Sequence, residues 1–204
     1  MAPIRISAAV FADYLAGVGR DRMSIVTAQR QRYEDPNRLA WFFYRPMISA
    51  IRRCLAEPDP HPVLLEAVEQ ANDAQRPHFW ALFEGFLGWL PHPAPTLVPV
   101  GSTVWTSGDL EVVLRPELGI VDRSGQTWAV LLYLKEPELP RPTAQAVLRL
   151  MERHMDELLP GGRPAMLDVR RSRMHRLRSN APRARLDAWL NGEAIGYTAH
   201  WNAA

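Results

Sequence analysis

The pattern of apolar residues changes at the proline-rich segment 91–95. Before this segment, apolar residues recur at the spacing expected for helices. After it, three runs rich in Val, Leu, Thr, Trp and Tyr have the composition of β-strands. These runs cover residues 97–106, 110–114 and 127–135. The sequence therefore predicts a mixed α/β fold of the α+β type, with helices preceding a sheet.

The part of the chain before the proline-rich segment is predicted to form four helices. Ser7 is a suitable N-cap for the first helix, which ends at Gly17. We expect a kink near Pro46 in the third helix and an interruption at Pro77 in the fourth, because proline lacks the N–H that an internal helical residue donates. The four predicted helices cover residues 6–15, 24–33, 38–55 and 63–90.

Turn residues separate the three predicted strands, which most simply form an antiparallel meander. An amphipathic helix at 143–159 then precedes a short buried strand at 165–170, and a helix in this place can lay the strand parallel to its neighbour. A final helix is expected near 183–190, followed by an irregular or strand-like tail at 194–201. The predicted sheet is therefore small and mixed, with the order β-β-β-α-β.

The 204 residues are 47% hydrophobic and 23% charged, which predicts one continuous domain with a substantial core. Within it, we expect a helical N-terminal region, 1–62, packed on an α/β core with a basic C-terminal segment, 63–204. The one cysteine, Cys54, cannot form an intrachain disulfide. No run approaches the roughly 18 apolar residues of a membrane span. We therefore expect a cytoplasmic protein that makes no membrane contact.

The chain lacks the common catalytic and cofactor-binding motifs. It has no phosphate-cradling glycine loop, no G-x-S-x-G elbow, no H-E-x-x-H helix and no C-x-x-C pair. Its six histidines are dispersed, and none are spaced to place two ligands on one helical face. A zinc site is therefore not expected.

Arginine is concentrated in the stretch 163–185, whose only acid is Asp168. Guanidinium groups match phosphate oxygens in pairs, so this stretch predicts contact with DNA or RNA. The arginines predicted to bind nucleic acid are Arg170, Arg171, Arg173, Arg176 and Arg178. The alternative is a solvated arginine-rich surface. We expect Asp168 to be a buried acid satisfied by an arginine rather than a catalytic base.

The β-β-β-α-β order after a buried helix resembles the core of the PD-(D/E)XK nuclease-like superfamily. In that family, an acid on the second strand and an acid-x-Lys on the third strand bind divalent ions and position water. Lys135 is the only lysine of the chain and ends the third predicted strand, as the family's lysine does. Glu111, or alternatively Asp109, resembles the acid of the second strand.

Tyr133 departs from the family pattern, because it stands two residues before Lys135 where the family has an acid. A phenol has an ordinary pKa near 10 and does not replace a carboxylate as a ligand for Mg²⁺. Glu117 either faces the same cleft as a further metal ligand or is a turn residue between Pro116 and Gly119. Gln145 and a helix acid (Glu66, Glu69 or Glu84) are weaker matches to residues that some family members use.

The resemblance implies a degenerate nuclease with weak or absent hydrolysis that binds nucleic acid through its arginine-rich segment. If it were active, Glu111 or Asp109 would hold Mg²⁺ with Glu117, and Lys135 would stabilise charge on the phosphate. The alternative is a non-catalytic protein-interaction or regulatory module. Its contact surface would be the aromatic run 41–44, whose four side chains cannot all face one core from a helix.

Overall fold

The computed structural model describes residues 3–35 and 43–204 of the chain. These residues form eight α-helices and eight β-strands in two mixed sheets, which confirms the predicted mixed α/β class. The helices are α1 (Ala8–Ala16), α2 (Asp21–Glu34), α3 (Arg45–Cys54), α4 (Pro60–Glu69), α5 (Arg76–Trp89), α6 (Arg141–Arg153), α7 (Met155–Leu158) and α8 (Arg183–Ala203). The strands are β1 (Ile4–Ser7), β2 (Thr96–Val98), β3 (Thr103–Ser107), β4 (Leu110–Leu114), β5 (Leu118–Val121), β6 (Thr127–Tyr133), β7 (Arg163–Asp168) and β8 (Arg173–Arg176).

The larger sheet has five strands in the order β2-β5-β6-β7-β8. Strands β6 and β7 are parallel and are joined through helix α6, whereas every other neighbouring pair in this sheet is antiparallel. β6 lies at the centre, and its continuous apolar sequence is buried on both faces. Tyr133 at the end of β6 lies opposite Asp168 at the end of β7. The carboxyl ends of the two parallel strands therefore meet at one edge of the sheet.

The predicted meander of three consecutive strands is wrong. β3 and β4 do form a hairpin, with a turn at Gly108, whose φ is 57°. This hairpin joins β1 in a separate three-stranded sheet of order β1-β4-β3, in which β1 runs parallel to β4. Leu110, Val112 and Leu114 alternate with partly exposed residues and bury one face of this sheet in the core.

The antiparallel neighbour of β6 is β5, in a segment where Glu117 was expected to be either a metal ligand or a turn residue between Pro116 and Gly119. The close approach of β2 explains the glycine. A Cβ at Gly119 would lie 2.5 Å from the carbonyl oxygen of Val98 in β2. Gly119 therefore marks a place where two strand backbones come close together, rather than a turn.

Side chains of β6 alternate between two cores, one on each face of the larger sheet. Leu131 and Tyr133 belong to the first core, together with residues of α1, α6, α8 and the smaller sheet. Val130 and Leu132 belong to the second core, together with residues of α3, α4 and α5. Helices α6 and α8 therefore lie on the opposite side of the larger sheet from α3.

The first and last helices both pack into the first core. Ser7 caps α1 as predicted, because its hydroxyl oxygen accepts a backbone hydrogen bond at 3.3 Å. The irregular tail predicted after residue 194 is wrong, since α8 continues for 21 residues. Leu190, Ala194 and Tyr197 recur at helical spacing and are fully buried, which holds this segment in a helix. Neither α8 nor any other helix in the described part of the chain is long and apolar enough to cross a membrane.

Prolines mark the beginnings of α3 and α5. Pro46 lies in the first turn of α3, so the predicted kink is the start of a helix; residues 38–42 of the predicted third helix lie outside the described residues. Pro77 lies in the first turn of α5, and the predicted interruption is a break between α4 and α5. Proline is favoured at such positions because its missing N–H has no helical partner there.

A glycine of α5 fixes the path of the chain after β7. A Cβ at Gly85 would lie 2.1 Å from the carbonyl oxygen of Val169, so a larger residue would push the two segments apart. Val169–Arg171 form a 3₁₀ turn, and Ser172 follows in the left-handed region with a φ of 52°. The Ser172 hydroxyl donates a hydrogen bond to the carbonyl oxygen of Gly85 at 2.7 Å. This packing positions the two arginines of the 3₁₀ turn near the carboxyl end of β7.

Candidate functional site

Lys135 and Tyr133 lie at the carboxyl end of β6, together with acids from two other elements. Lys135 forms an ion pair with Asp13 of α1. Burial raises the pKa of Asp13, and the charge of Lys135 opposes that rise. Burial, together with the charges of Asp13 and Asp168, raises the pKa of Tyr133 to about 12. The phenol therefore stays protonated at neutral pH and does not supply the charge of the family's missing acid.

Asp168 is a buried acid whose partners are structural. Its side chain is 0% exposed, and Oδ2 accepts a hydrogen bond from the Leu139 N–H at 3.2 Å. Nη1 of Arg171 donates to Oδ1 at 3.2 Å. These bonds tie the loop after β6 to the 3₁₀ turn after β7, and they confirm that an arginine satisfies this acid.

Glu117 lies just before β5, beside the end of β6. Its carboxylate accepts a hydrogen bond from the Leu132 N–H at 2.8 Å, at a point where β5 offers no backbone acceptor. Burial raises the pKa of Glu117 to about 7, while this bond and the charges of Arg115 and Arg52 act to lower it. Glu117 therefore completes the hydrogen bonding of β6, and its carboxyl group titrates near neutral pH.

Glu111 and Asp109 do not lie on the strand beside β6, so the structure places neither of them in the arrangement with Lys135 that the sequence predicted. Both belong to the β3–β4 hairpin of the smaller sheet. Glu111 lies on the face opposite the buried residues of β4 and pairs with the exposed Arg5 at 3.4 Å. Asp109 is an exposed turn residue whose carbonyl oxygen accepts the Ile4 N–H at 2.8 Å.

The residues at this end of the sheet do not fit a Mg²⁺ site. Within residues 3–35 and 43–204, no group of three or more His, Cys, Asp and Glu side chains is arranged to hold a metal ion. Asp13 pairs with Lys135, and Tyr133 is a protonated phenol. Glu117 alone offers too few oxygen ligands for a hard divalent cation. We therefore assign no metal-dependent step to these residues.

Three of the predicted nucleic-acid-binding arginines have partners within the protein. Nε of Arg170 donates to the Leu134 carbonyl oxygen at 3.0 Å, and its Nη2 contacts His78. Arg171 bonds Asp168 and also the Glu136 carbonyl oxygen. Arg173 pairs with Glu138, and the side chains of both are more than half exposed. Arg170 and Arg171 therefore have structural roles, whereas Arg173 lies at the surface.

The other two arginines of this group are exposed. The guanidinium of Arg176 lies over the ring of Trp128, 4.5 Å from its centroid, which is a cation–π contact. The guanidinium of Arg178 makes no ion pair or side-chain hydrogen bond with the described part of the chain. Both groups can therefore reach a ligand without breaking an ion pair.

A basic cavity of about 340 Å³ lies between β8 and the N-terminal end of α6. Three arginines line it, and no side chain caps the first turn of α6. One acid, Glu138, also lines the cavity. The lining residues are Glu138, Leu139, Pro140, Arg141, Gln145, Arg173, Met174, His175 and Arg176. Burial lowers the pKa of His175; the charge of Asp168 opposes this effect, and the charges of Arg173 and Arg141 add to it.

A second cavity, of about 380 Å³, lies between α6 and α8 and is lined chiefly by apolar atoms. Its largest lining side chain is Trp189, whose indole Nε1 donates to Glu193 at 2.8 Å. The lining residues are Pro142, Gln145, Arg178, Asn180, Ala181, Pro182, Leu186 and Trp189. Gln145 lines both cavities, so they are neighbours.

No local sequence pattern indicated these two cavities. Arg141, Glu138 and Trp189 were not among the predicted site residues, because the segment 138–141 and helix α8 are brought together only by the fold. The proline before and after Arg141 is the one local signal, since such prolines are common where a helix begins. Gln145, a weak match to a family residue, lines both cavities.

The remaining candidates have other surroundings. Glu66 pairs with Arg53 at 2.8 Å, and Glu84 accepts a hydrogen bond from Trp80 within the same helix. Of the aromatic run 41–44, residues 41 and 42 lie outside the described residues. Phe43 and Tyr44 are partly buried, contact each other edge to face and pack against the second core. The protein-interaction role of this run stays a prediction.

No protein-family model matches the chain. No curated protein and no solved structure matches it significantly either. The residues described above are therefore the basis for the function proposed below.

Proposed function

We propose that this chain is a degenerate PD-(D/E)XK-like protein that binds nucleic acid and has weak or no nuclease activity. The larger sheet supports such a core. Strands β2, β5 and β6, helix α6 and the parallel strand β7 follow the β-β-β-α-β order. In this proposal the β3–β4 hairpin is an insertion between the first and second core strands, and α5 is the preceding helix packed on the sheet.

In the proposed core, the residue at the acid position of the second strand is Glu117, which follows Pro116 and precedes β5. The sequence alone suggested Glu111 or Asp109 for this position. In the proposed core, Lys135 still occupies the lysine position of the family. Tyr133 still stands where the family has an acid. Since the described residues contain no group of three or more His, Cys, Asp and Glu side chains that could hold a metal ion, and since Lys135 already pairs with Asp13, we expect hydrolysis to be weak or absent.

The basic cavity is the observation that carries the binding proposal. Arg141 and Arg173 line it beside the N-terminal end of α6, and Arg176 borders it from the end of β8 with its guanidinium over Trp128. Guanidinium groups bind phosphate oxygens through paired hydrogen bonds, and a helix N-terminus favours anions. Arg178 extends this basic surface toward the second cavity. A nucleic-acid backbone carries the complementary charge.

The test is fluorescence anisotropy of labelled DNA and RNA, single- and double-stranded, over a range of salt concentrations. We expect binding to weaken as salt rises, because bound arginines displace the counterions of the phosphates. Arg176→Gln and Arg178→Gln should each lower the salt slope by about 1. The matched control is Arg52→Gln, which removes the same charge from α3, on the opposite side of the larger sheet from α6 and α8.

The same nucleic acids are then incubated with Mg²⁺, Mn²⁺ or EDTA to detect cleavage. We expect little or no metal-dependent cleavage. Efficient cleavage that is lost in Lys135→Ala would overturn the assignment of a degenerate site. Absence of binding at low salt, or an equal salt slope for Arg178→Gln and Arg52→Gln, would overturn the binding proposal.

A further inference from the structure

The two cavities are held on either side of one well-anchored side chain. Nε2 of Gln145 donates to the carbonyl oxygen of Arg176 at 2.8 Å, and Oε1 accepts the backbone N–H of Arg178 at 3.1 Å. Gln145 thus joins α6 to the segment after β8. Each cavity is near the lower end of the 300–1,000 Å³ range of small-molecule sites. The two cavities share this residue, and we call them together the Gln145 cleft, with one basic and one apolar half.

The basic half has the chemistry of a phosphate site. Arg141 is exposed, and its guanidinium makes no ion pair or hydrogen bond with residues 3–35 or 43–204, so it can bind a ligand without breaking such a contact. Arg173 faces the same cavity from β8, on the side of the sheet that carries α6. Two guanidinium groups on facing elements can hold one phosphate between them.

The apolar half has the chemistry of a base site. Trp189 is partly exposed there, and the bond from its Nε1 to Glu193 fixes the orientation of the indole ring. Leu186 and Pro182 supply further apolar contacts. Aromatic side chains stack with bases of any sequence, because every base has a π-face.

We propose that the Gln145 cleft binds one unpaired nucleotide, with its phosphate at Arg141 and Arg173 and its base against Trp189. This inference rests on the nucleic-acid binding proposed above and adds a preference for single strands. A base that is stacked and paired in a duplex cannot enter the apolar half. Contact with the duplex backbone at Arg176 and Arg178 needs no such entry.

Glu138 gives the proposal a distinctive consequence. Its carboxylate pairs with Arg173 at the mouth of the basic half, so it competes with a phosphate for the same guanidinium. Removing the charge frees Arg173 and also removes a repulsion. Glu138→Gln should therefore tighten binding of a single strand several-fold, whereas Arg141→Gln should weaken it. Both side chains lie at the surface, so folding is not at risk.

The experiment measures anisotropy of a short fluorescein-labelled single strand and of the duplex of the same sequence. Trp189→Leu should weaken binding of the single strand about tenfold or more and leave the duplex nearly unchanged. The matched control is Trp80→Leu, since Trp80 is likewise a helical tryptophan that donates to a glutamate four residues later, although it is more exposed than Trp189. Thermal unfolding of both variants verifies that they are folded.

A competition arm uses a nucleoside 5′-monophosphate, the corresponding nucleoside and inorganic phosphate against the labelled strand. The monophosphate should compete best, because it alone occupies both halves of the cleft. A monophosphate that binds as tightly as the strand would also support the cleft, and it would identify a free nucleotide as the ligand.

Two results would overturn the inference while leaving the proposed function intact. In the first, Trp189→Leu matches Trp80→Leu and the duplex binds as tightly as the single strand. In the second, Glu138→Gln does not tighten binding of the strand although Arg178→Gln lowers the salt slope. No binding of either nucleic acid at low salt would instead overturn both proposals.

Discussion

Lys135 and Asp13 form an ion pair that joins the end of β6 to α1, and both side chains are about a quarter to a third exposed. Lys135→Met removes the cation and leaves Asp13 without it in a partly buried setting. We expect a loss of about 1–2 kcal/mol in the free energy of unfolding, less than for a fully buried pair. Urea unfolding measures this loss, and the pKa of Asp13 should rise further in the variant.

The control for this pair is Arg5→Met, which breaks the exposed pair between Arg5 and Glu111. It should cost about 0–0.5 kcal/mol. If Lys135→Met costs no more than Arg5→Met, the ion pair does not anchor α1. Lys135 would then be better explained by its resemblance to the nuclease lysine.

Gly85 and Gly192 predict opposite effects of the same substitution. Gly85→Ala should destabilise the protein by about 1–3 kcal/mol, because the new Cβ would lie 2.1 Å from the Val169 carbonyl oxygen. Gly192 is an exposed residue within α8, and a Cβ there meets no atom within 4 Å. Gly192→Ala should therefore stabilise the protein by about 0.5–1 kcal/mol. Thermal and urea unfolding of both variants compare them, and a stable Gly85→Ala variant would contradict the close packing of α5 on the 3₁₀ turn.

The sequence predicted correctly those helix ends and strands that depend only on residues close together in the chain. Ser7 was identified as a cap because its hydroxyl needs only the next helical turn. Pro77 indicated a break because proline lacks an N–H whatever lies around it. The apolar run of β6 was identified as a strand, and the position of Lys135 at its end followed directly.

Elements that depend on distant partners were predicted less well. The β3–β4 hairpin was predicted correctly as a hairpin but placed in the wrong sheet, since its third strand is β1, about 100 residues earlier in the chain. Gly119 suggested a turn because the approach of β2 is not visible in the local sequence. For the same reason, Trp189 and Arg141 gave no sequence signal for a shared cleft.

The carboxyl group of Glu117 predicts a pH dependence of stability. Its folded-state pKa of about 7 lies above the ordinary value of 4.5, so the folded protein binds more protons than the unfolded chain between these two values. The free energy of unfolding should therefore fall by up to about 3 kcal/mol, from this group alone, as pH rises from about 4.5 to about 7. Above that pH the contribution of Glu117 should stay constant.

Glu117→Gln keeps an oxygen that can accept the Leu132 N–H but carries no charge. We expect it to remove this part of the pH dependence and to be more stable than the unmodified chain at pH about 8. Urea unfolding across this pH range provides the measurement. An equal decline in both proteins would show that another group is responsible.

Helices α6 and α8, which border the apolar half of the Gln145 cleft, are joined by a clamp of two paired arginine–carboxylate contacts. Arg149 bonds Asp187 through Nε at 2.9 Å and Nη2 at 2.8 Å. Arg183 makes a similar bidentate contact with Glu152, through Nε at 2.9 Å and Nη2 at 2.8 Å. Burial acts to raise the pKa of Glu152, but hydrogen bonds from Arg183 and Arg149 hold it below its ordinary value. The stabilisation is therefore present at neutral pH and is lost as pH falls through the lowered folded-state pKa.

Glu152→Gln should weaken this clamp and lower the free energy of unfolding by about 1–2 kcal/mol. Its matched control, Glu34→Gln, affects only the Arg30–Glu34 pair within α2 and should cost about 0.3–0.5 kcal/mol. Amide hydrogen exchange should quicken near Trp189 in Glu152→Gln alone, because α8 is then held less firmly against α6. Single-strand binding should weaken in parallel, since the base site needs both helices. Unchanged exchange in α8 would mean that the apolar core, including Leu190, holds this helix without the clamp.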